Sequence, residues 1–135
     1  MKVTLFKDIK DINSPYHSTL TTALQRIREG KSKSLIKKIR SGEKAKKKEL
    51  PVVCFSGEFS SRNDEALFEH SGYIVLDFDH VDVDQVKTAL AVDDYIYSCW
   101  TSPSGDGVKA LVAITNPERH RDHFRALKTY FYKQY

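Results

Sequence analysis

At 135 residues, 40% apolar and 30% charged, the chain has the size and make-up of one ordinary globular domain. A domain of that size folds without disulfides or a structural metal. No apolar run approaches the roughly 18 residues of a membrane span. The start, Met-Lys-Val-Thr-Leu-Phe-Lys-Asp, lacks the apolar stretch of a signal peptide. Membrane and secreted classes are therefore excluded, and a cytoplasmic protein is expected. Cys54 and Cys99 lie in apolar runs without metal-type spacing and read as buried reduced thiols.

In chain order, Lys2 to Phe6 alternates and predicts a short strand. Ser18 is placed to cap a helix over 19–29, with Leu20, Ala23, Leu24 and Ile27 on one face and Gly30 as its stop. A short basic helix follows, with Leu35, Ile36 and Ile39 as its apolar side. Lys44–Lys48 reads as a mobile charged loop. Pro51 opens a strand over 52–55, and residues 57–71 read as a loop. Gly72 to Asp79 is the strongest strand in the chain. Asp82, with Gln85 three residues on, predicts a helix over 83–92. Tyr95 to Thr101 is a strand, 102–107 a turn and Val108 to Ile114 the returning strand. Asn116 and Pro117 begin a last helix with Phe124, Leu127 and Phe131 on its apolar face.

From residue 72 the order is strand–helix–strand–strand–helix. A split βαβ unit needs one further strand after that helix. The expected fold is thus α+β: an RRM- or ferredoxin-like core over 51–135 with an antiparallel sheet, ending before its last strand. Residues 1–50 are expected as a helical, basic N-terminal extension.

The charge is uneven. Residues 26–48 carry eleven of the 22 basic residues and only Glu29 and Glu43, a net +9 that leaves −5 for the rest of the chain. A basic arm of this kind suits a polyanion. Lys37, Lys38, Arg40, Lys46, Lys47 and Lys48, with Arg62, are the expected nucleic-acid contacts.

Asp77 and Asp79 are two apart on one strand and share a face. Paired carboxylates repel unless a positive group lies between them, and Mg2+ or Mn2+ is the usual partner. The turn Ser102-Pro-Ser104-Gly105-Asp-Gly107 can aim N–H groups and hydroxyls at a phosphate, with Lys109 adding a charge. Metal carboxylates beside a phosphate cradle make a nucleotide site.

The ordered set Leu50-Pro51, Phe55-Ser-Gly57-x-Phe59 with Arg62, His70-Ser-Gly72, Asp77-x-Asp79 and Ser102-Pro-Ser-Gly-x-Gly-x-Lys109 resembles the VirE N-terminal domain family. That family belongs to Bacteroides-type replication and mobile-element proteins, often ahead of a helicase-like region. It is similar, at greater distance, to the archaeo-eukaryotic primase–polymerases. The resemblance covers roughly residues 35–135. It implies an RRM-like core that binds a nucleoside triphosphate and Mg2+ or Mn2+ on DNA. Asp77 and Asp79 are its catalytic metal ligands by that implication. Ser102, Ser104, Gly105, Gly107 and Lys109 would hold the nucleotide. A histidine usual in those enzymes is replaced by Lys109, and a third acid falls beyond Tyr135. Nucleotidyl transfer is then expected of a longer polypeptide rather than of these residues alone.

Two other readings stand beside it. One is a non-catalytic DNA-binding module that brings a helicase region of the same polypeptide to DNA. The other follows from Asp77-Phe-Asp79-His-Val81, which is similar to the opening motif of HAD phosphatases. Those enzymes need a further acidic pair downstream, and the acids after Asp106 are only Glu118 and Asp122, both on the last helix.

Overall fold

A computed structural model describes residues 2–134. It is a mixed α/β chain with antiparallel sheets and several helices, and it divides into two units, Met1–Ser71 and Gly72–Tyr135.

The first unit opens with β1 (Lys2–Phe6), β2 (Tyr16–Thr19), α1 (Leu20–Arg28) and α2 (Lys33–Arg40). The Thr19 hydroxyl, not that of Ser18, caps α1, accepting from the Thr22 amide at 3.1 Å. Ser18 is instead used in β2, opposite Val3 of β1. A 3-10 helix, Lys44–Glu49, replaces the expected mobile loop. Next come β3 (Val52–Cys54), β4 (Gly57–Phe59) and β5 (Leu67–His70). The order β2-β1-β3 makes one antiparallel sheet, and β4 with β5 makes a second.

Residues 51–71 therefore fold with the N-terminal segment, and the division falls at 71/72 rather than at 50/51. The physical reason is pairing. Val53 and Cys54 lie opposite Leu5 and Thr4 of β1. Buried Thr4 ties the two sheets together, its hydroxyl donating to the Gly57 carbonyl at 2.8 Å and accepting from the Phe59 amide at 2.9 Å. Gly57 has φ +152°, and a side chain there would collide with the Glu69 carbonyl. Val3, Leu5, Phe6, Leu20, Ala23, Ile39 and Phe55 are the buried apolar residues around this frame.

The second unit runs β6 (Tyr73–Phe78), α3 (Val83–Ala91), β7 (Ile96–Thr101), β8 (Val108–Ala113) and α4 (His120–Gln134), the expected order. The Asp82 carboxylate caps α3 by accepting from the Gln85 amide at 3.1 Å. Pro117 starts a 3-10 turn, Pro117–Arg119, and α4 begins only after it. The sheet order is β6-β8-β7, all antiparallel. Ile74 and Leu76 of β6 and Val108, Ala110 and Val112 of β8 face Val86 and Leu90 of α3 and Phe131 of α4. Complete burial of a residue such as Leu90 contributes roughly 2–3 kcal/mol.

The register also defines the free edge of β6. The Ile114 amide donates to the Gly72 carbonyl at 2.8 Å, so these two form a hydrogen-bonded pair. Such pairs alternate along an antiparallel ladder. Ile74, Leu76 and Phe78 therefore bond to β8, and the backbone groups of Val75 and Asp77 point the other way. Among the described residues those outward groups have no strand partner. No helix among the described residues is long and apolar enough to cross a membrane.

Candidate functional site

Asp77 lies opposite Lys109 in the β6–β8 register. The Lys109 ammonium donates to Asp77 Oδ1 at 2.7 Å, and the two side chains are 34% and 50% exposed. Asp79 stands just past the strand end, exposed, with no hydrogen-bond or ion-pair partner among the described residues. The positive group that the carboxylate pair calls for is therefore supplied by the protein itself. Among the described residues no three His, Cys, Asp or Glu side chains are grouped to hold a metal ion. For Mg2+ or Mn2+ to be held by Asp77 and Asp79, the remaining oxygen donors would come from water or a substrate phosphate, and Asp77 would share its carboxylate with the Lys109 ammonium.

The 102–107 turn is closed on itself. The Ser102 amide donates to the Gly107 carbonyl at 2.9 Å, and the Gly105 amide to the Ser102 carbonyl at 3.0 Å. The Ser104 hydroxyl donates to Asp106 Oδ1 at 2.6 Å and lies 3.2 Å from the Ser102 hydroxyl. His80 Nδ1 meets the other Asp106 oxygen at 2.9 Å. The Ser104 hydrogen bond first, and then His80, hold the Asp106 carboxyl below its ordinary value. His80 is the one non-glycine residue at positive φ, +55°, among the described residues. Gly107 is required because a Cβ there would sit 2.7 Å from the Phe78 carbonyl oxygen. The Ser102 and Ser104 hydroxyls therefore bond within the turn, and its tip carries the Asp106 carboxylate. Lys109 reaches across to Asp77, on the neighbouring strand.

The basic segment presents its charge outward. Apolar Leu35, Ile36 and Ile39 turn to the inner side of α2, leaving Lys33, Lys37, Lys38 and Arg40 exposed. Lys44, Lys47 and Lys48 of the following 3-10 helix are exposed as well. Lys46 is half-buried and paired with Glu49 at 3.2 Å, and Lys31 with Glu29 at 3.5 Å. Arg62 has a different occupation. Its guanidinium donates to the Ile9 carbonyl and its amide to that of Ile12, so it braces the 7–15 loop. Its Nε is buried without a hydrogen-bond partner. Burial pushes the Cys54 thiol above its ordinary value, against the opposing pull of Arg62, and Cys99 is raised the same way against Lys87.

A cleft of about 280 Å³ opens between β6 and α4. Leu76, Phe78, Val81, Phe124 and Phe131 give it apolar walls, and Asp77, Asp79 and Lys128 supply the polar groups. Phe131 is buried and meets Phe78 edge-on at 5.8 Å, whereas Phe124 is 38% exposed. The sequence led to both aspartates. It gave Phe124 only as a core residue and did not single out Lys128. Their spacing of four residues, one helical turn, is the signal that connects them.

These features define a mixed α/β protein in which one unit carries a basic helical segment and the other an antiparallel sheet with a cross-strand acid–lysine pair. The family model for the BT4734-like, N-terminal domain matches residues 45–135, and the chain belongs to that family. No curated protein and no solved structure matches it. The family overturns the resemblance to the VirE N-terminal domain and to the primase–polymerases. The replication, mobile-element and Bacteroides setting that came with them falls too. The motifs behind that resemblance are short, and here their residues have other uses. Asp77 pairs with Lys109, the turn bonds to itself and Arg62 braces a loop.

Proposed function

We propose that this chain is a nucleic-acid-binding module without catalysis of its own, with DNA as its ligand. The observation that carries this reading is the outward display of Lys33, Lys37, Lys38, Arg40, Lys44, Lys47 and Lys48 on two successive short helices. Seven cations on one stretch suit the spacing of backbone phosphates and release their counterions on binding. Most of this segment precedes residue 45, where the family match begins, so it is a feature of this chain beyond the matched region. The order β6-β8-β7, with α3 joining β6 to β7 and α4 following β8, supports reading the second unit as a split βαβ core. No helicase-like partner region enters this reading, since the resemblance that implied one is corrected.

The test is DNA binding measured by fluorescence anisotropy across a salt series. Wild-type affinity falls steeply with salt and is indifferent to EDTA. Neutralising Lys37, Lys38, Lys47 and Lys48 to Gln lowers the magnitude of the log–log slope by roughly 3. An unchanged slope in that variant defeats the reading.

A further inference from the structure

We infer that the 7–15 loop of the first unit is an apolar wedge that enters a base step and kinks duplex DNA, a role that rests on the DNA-binding reading and deepens it. Three features of the loop point to it.

The first is what the loop exposes. Ile9 is 46% and Ile12 45% exposed, although both are large apolar side chains. A single apolar residue on a surface needs no explanation. Two of them on one short loop, three positions apart, form a paired feature. Lys7 and Lys10 are exposed with them.

The second is what the loop turns inward. Asp8 and Asp11 are half-buried. Asp8 Oδ1 accepts from the amides of Lys10 at 2.9 Å and Asp11 at 3.1 Å. Asp11 Oδ1 accepts from the Ser14 amide at 3.0 Å, and its other oxygen from the Lys7 amide at 3.4 Å. The carboxylates are thus occupied by the loop's own backbone. What the loop offers a partner is apolar and cationic, which complements a polyanion.

The third is attachment. The Ile9 amide donates to the Lys48 carbonyl at 3.4 Å and fastens the loop to the 3-10 helix with its exposed Lys44, Lys47 and Lys48. Arg62 holds both isoleucine carbonyls, that of Ile9 through its guanidinium and that of Ile12 through its own amide. The wedge is therefore stiff before it meets DNA, and little ordering cost remains on binding.

Duplex DNA is the occupant that these features fit. Cations around the wedge meet phosphates, while an isoleucine entering a base step unstacks it and bends the duplex. A lipid surface holds a protein in proportion to the apolar area buried, and two half-exposed isoleucines offer little of it. A base step needs no more than one such side chain.

Anisotropy titrations of the whole chain compare an intact duplex with the same duplex carrying a small bulge. The bulge has already lost the stacking that a wedge must break. Wild-type protein binds the bulged duplex roughly tenfold tighter. The Ile9→Ala/Ile12→Ala variant loses this preference and keeps the wild-type salt slope. Its changes fall on exposed side chains, and circular dichroism checks that it is folded. End-to-end energy transfer across the intact duplex rises on binding the wild type and not on binding the variant. Neutralising Lys37, Lys38, Lys47 and Lys48 to Gln weakens binding to both duplexes alike and preserves their ratio. A steep salt slope without a bulge preference, or a preference that the isoleucine variant keeps, overturns the wedge and leaves the DNA-binding reading in place. No binding to either duplex removes both. Capture by phosphatidylglycerol vesicles that depends on Ile9 and Ile12, with no bulge preference, gives the loop to a lipid surface and overturns the inference.

Discussion

Lys109 stands directly opposite Asp77 across the β6–β8 ladder, and its ammonium nitrogen lies 2.7 Å from the carboxylate. Cross-strand register, rather than a cation from solution, balances the more strand-bound member of the Asp77/Asp79 pair. The pair is partly exposed, so its worth is limited by solvent screening. A double-mutant cycle with Asp77→Asn and Lys109→Met, followed by urea unfolding, is expected to give a coupling of at most about 1 kcal/mol. The same relationship predicts that Mg2+ and EDTA leave the thermal midpoint unchanged. A metal-dependent rise that vanishes in Asp77→Asn would contradict it.

The hairpin tip carries an acid-side pH dependence. The folded Asp106 carboxyl lies below its ordinary 3.8. A depressed carboxylate contributes stability that is fully present above the unfolded value and is lost as pH falls through the folded one. The contribution is thus complete above about pH 4 and fades in stronger acid. Asp106→Asn is expected to flatten the acid limb of a stability–pH curve and leave neutral pH little changed. Ser104→Ala, which removes the leading cause of the shift, moves it in the same direction.

Gly107 permits close approach of the hairpin to the end of β6. A methyl group there would lie 2.7 Å from the Phe78 carbonyl oxygen and 3.2 Å from the Ser102 hydroxyl. Gly107→Ala is expected to destabilise the protein by about 1–3 kcal/mol, the usual cost of forced overpacking. Chemical denaturation measures it, and Gly42→Ala, where a Cβ meets nothing within 4 Å, gives the comparison for strain at positive φ alone.

Arg62 separates structural from nucleic-acid roles. Its guanidinium is spent on the Ile9 carbonyl. Arg62→Met is expected to lower stability by about 1–3 kcal/mol through the lost charged hydrogen bond. DNA affinity, corrected for the folded fraction, stays at the wild-type level and the salt slope is unaltered. A slope reduced by about 1 would give Arg62 a phosphate contact.

Both thiols are raised by burial, so neither is a ready nucleophile at neutral pH. Labelling of Cys54 and Cys99 by a disulfide reagent at pH 7.5 is expected to be slow in the native protein. It becomes fast on unfolding, at a rate that follows denaturant concentration.

Local signals survived folding where they were strong and short-ranged. The alternating run from Gly72 to Asp79, the Asp82 cap and the paired strands around the 102–107 turn all appear in the structure as read from the sequence. Weaker segments were decided by neighbours distant along the chain. Val52–Cys54 pairs with β1 and so joins the first unit. Gly57–Phe59 and Leu67–His70 have too little alternation to read as strands. They become one because Thr4 anchors Gly57 and Phe59, and β5 pairs with β4.

The candidate site divides in the same way. Sequence alone determined that Asp77 and Asp79 share a face, since side chains repeat every second residue along a strand. It also determined that half the basic residues lie within 26–48. Only the tertiary structure decided what those residues meet. Lys109 is 32 positions from Asp77 and reaches it through register. Phe124 and Lys128 border the cleft because α4 packs against β6. Periodicity sets the direction of a side chain relative to its own backbone, and the partner it finds is set by packing between segments that the sequence keeps apart.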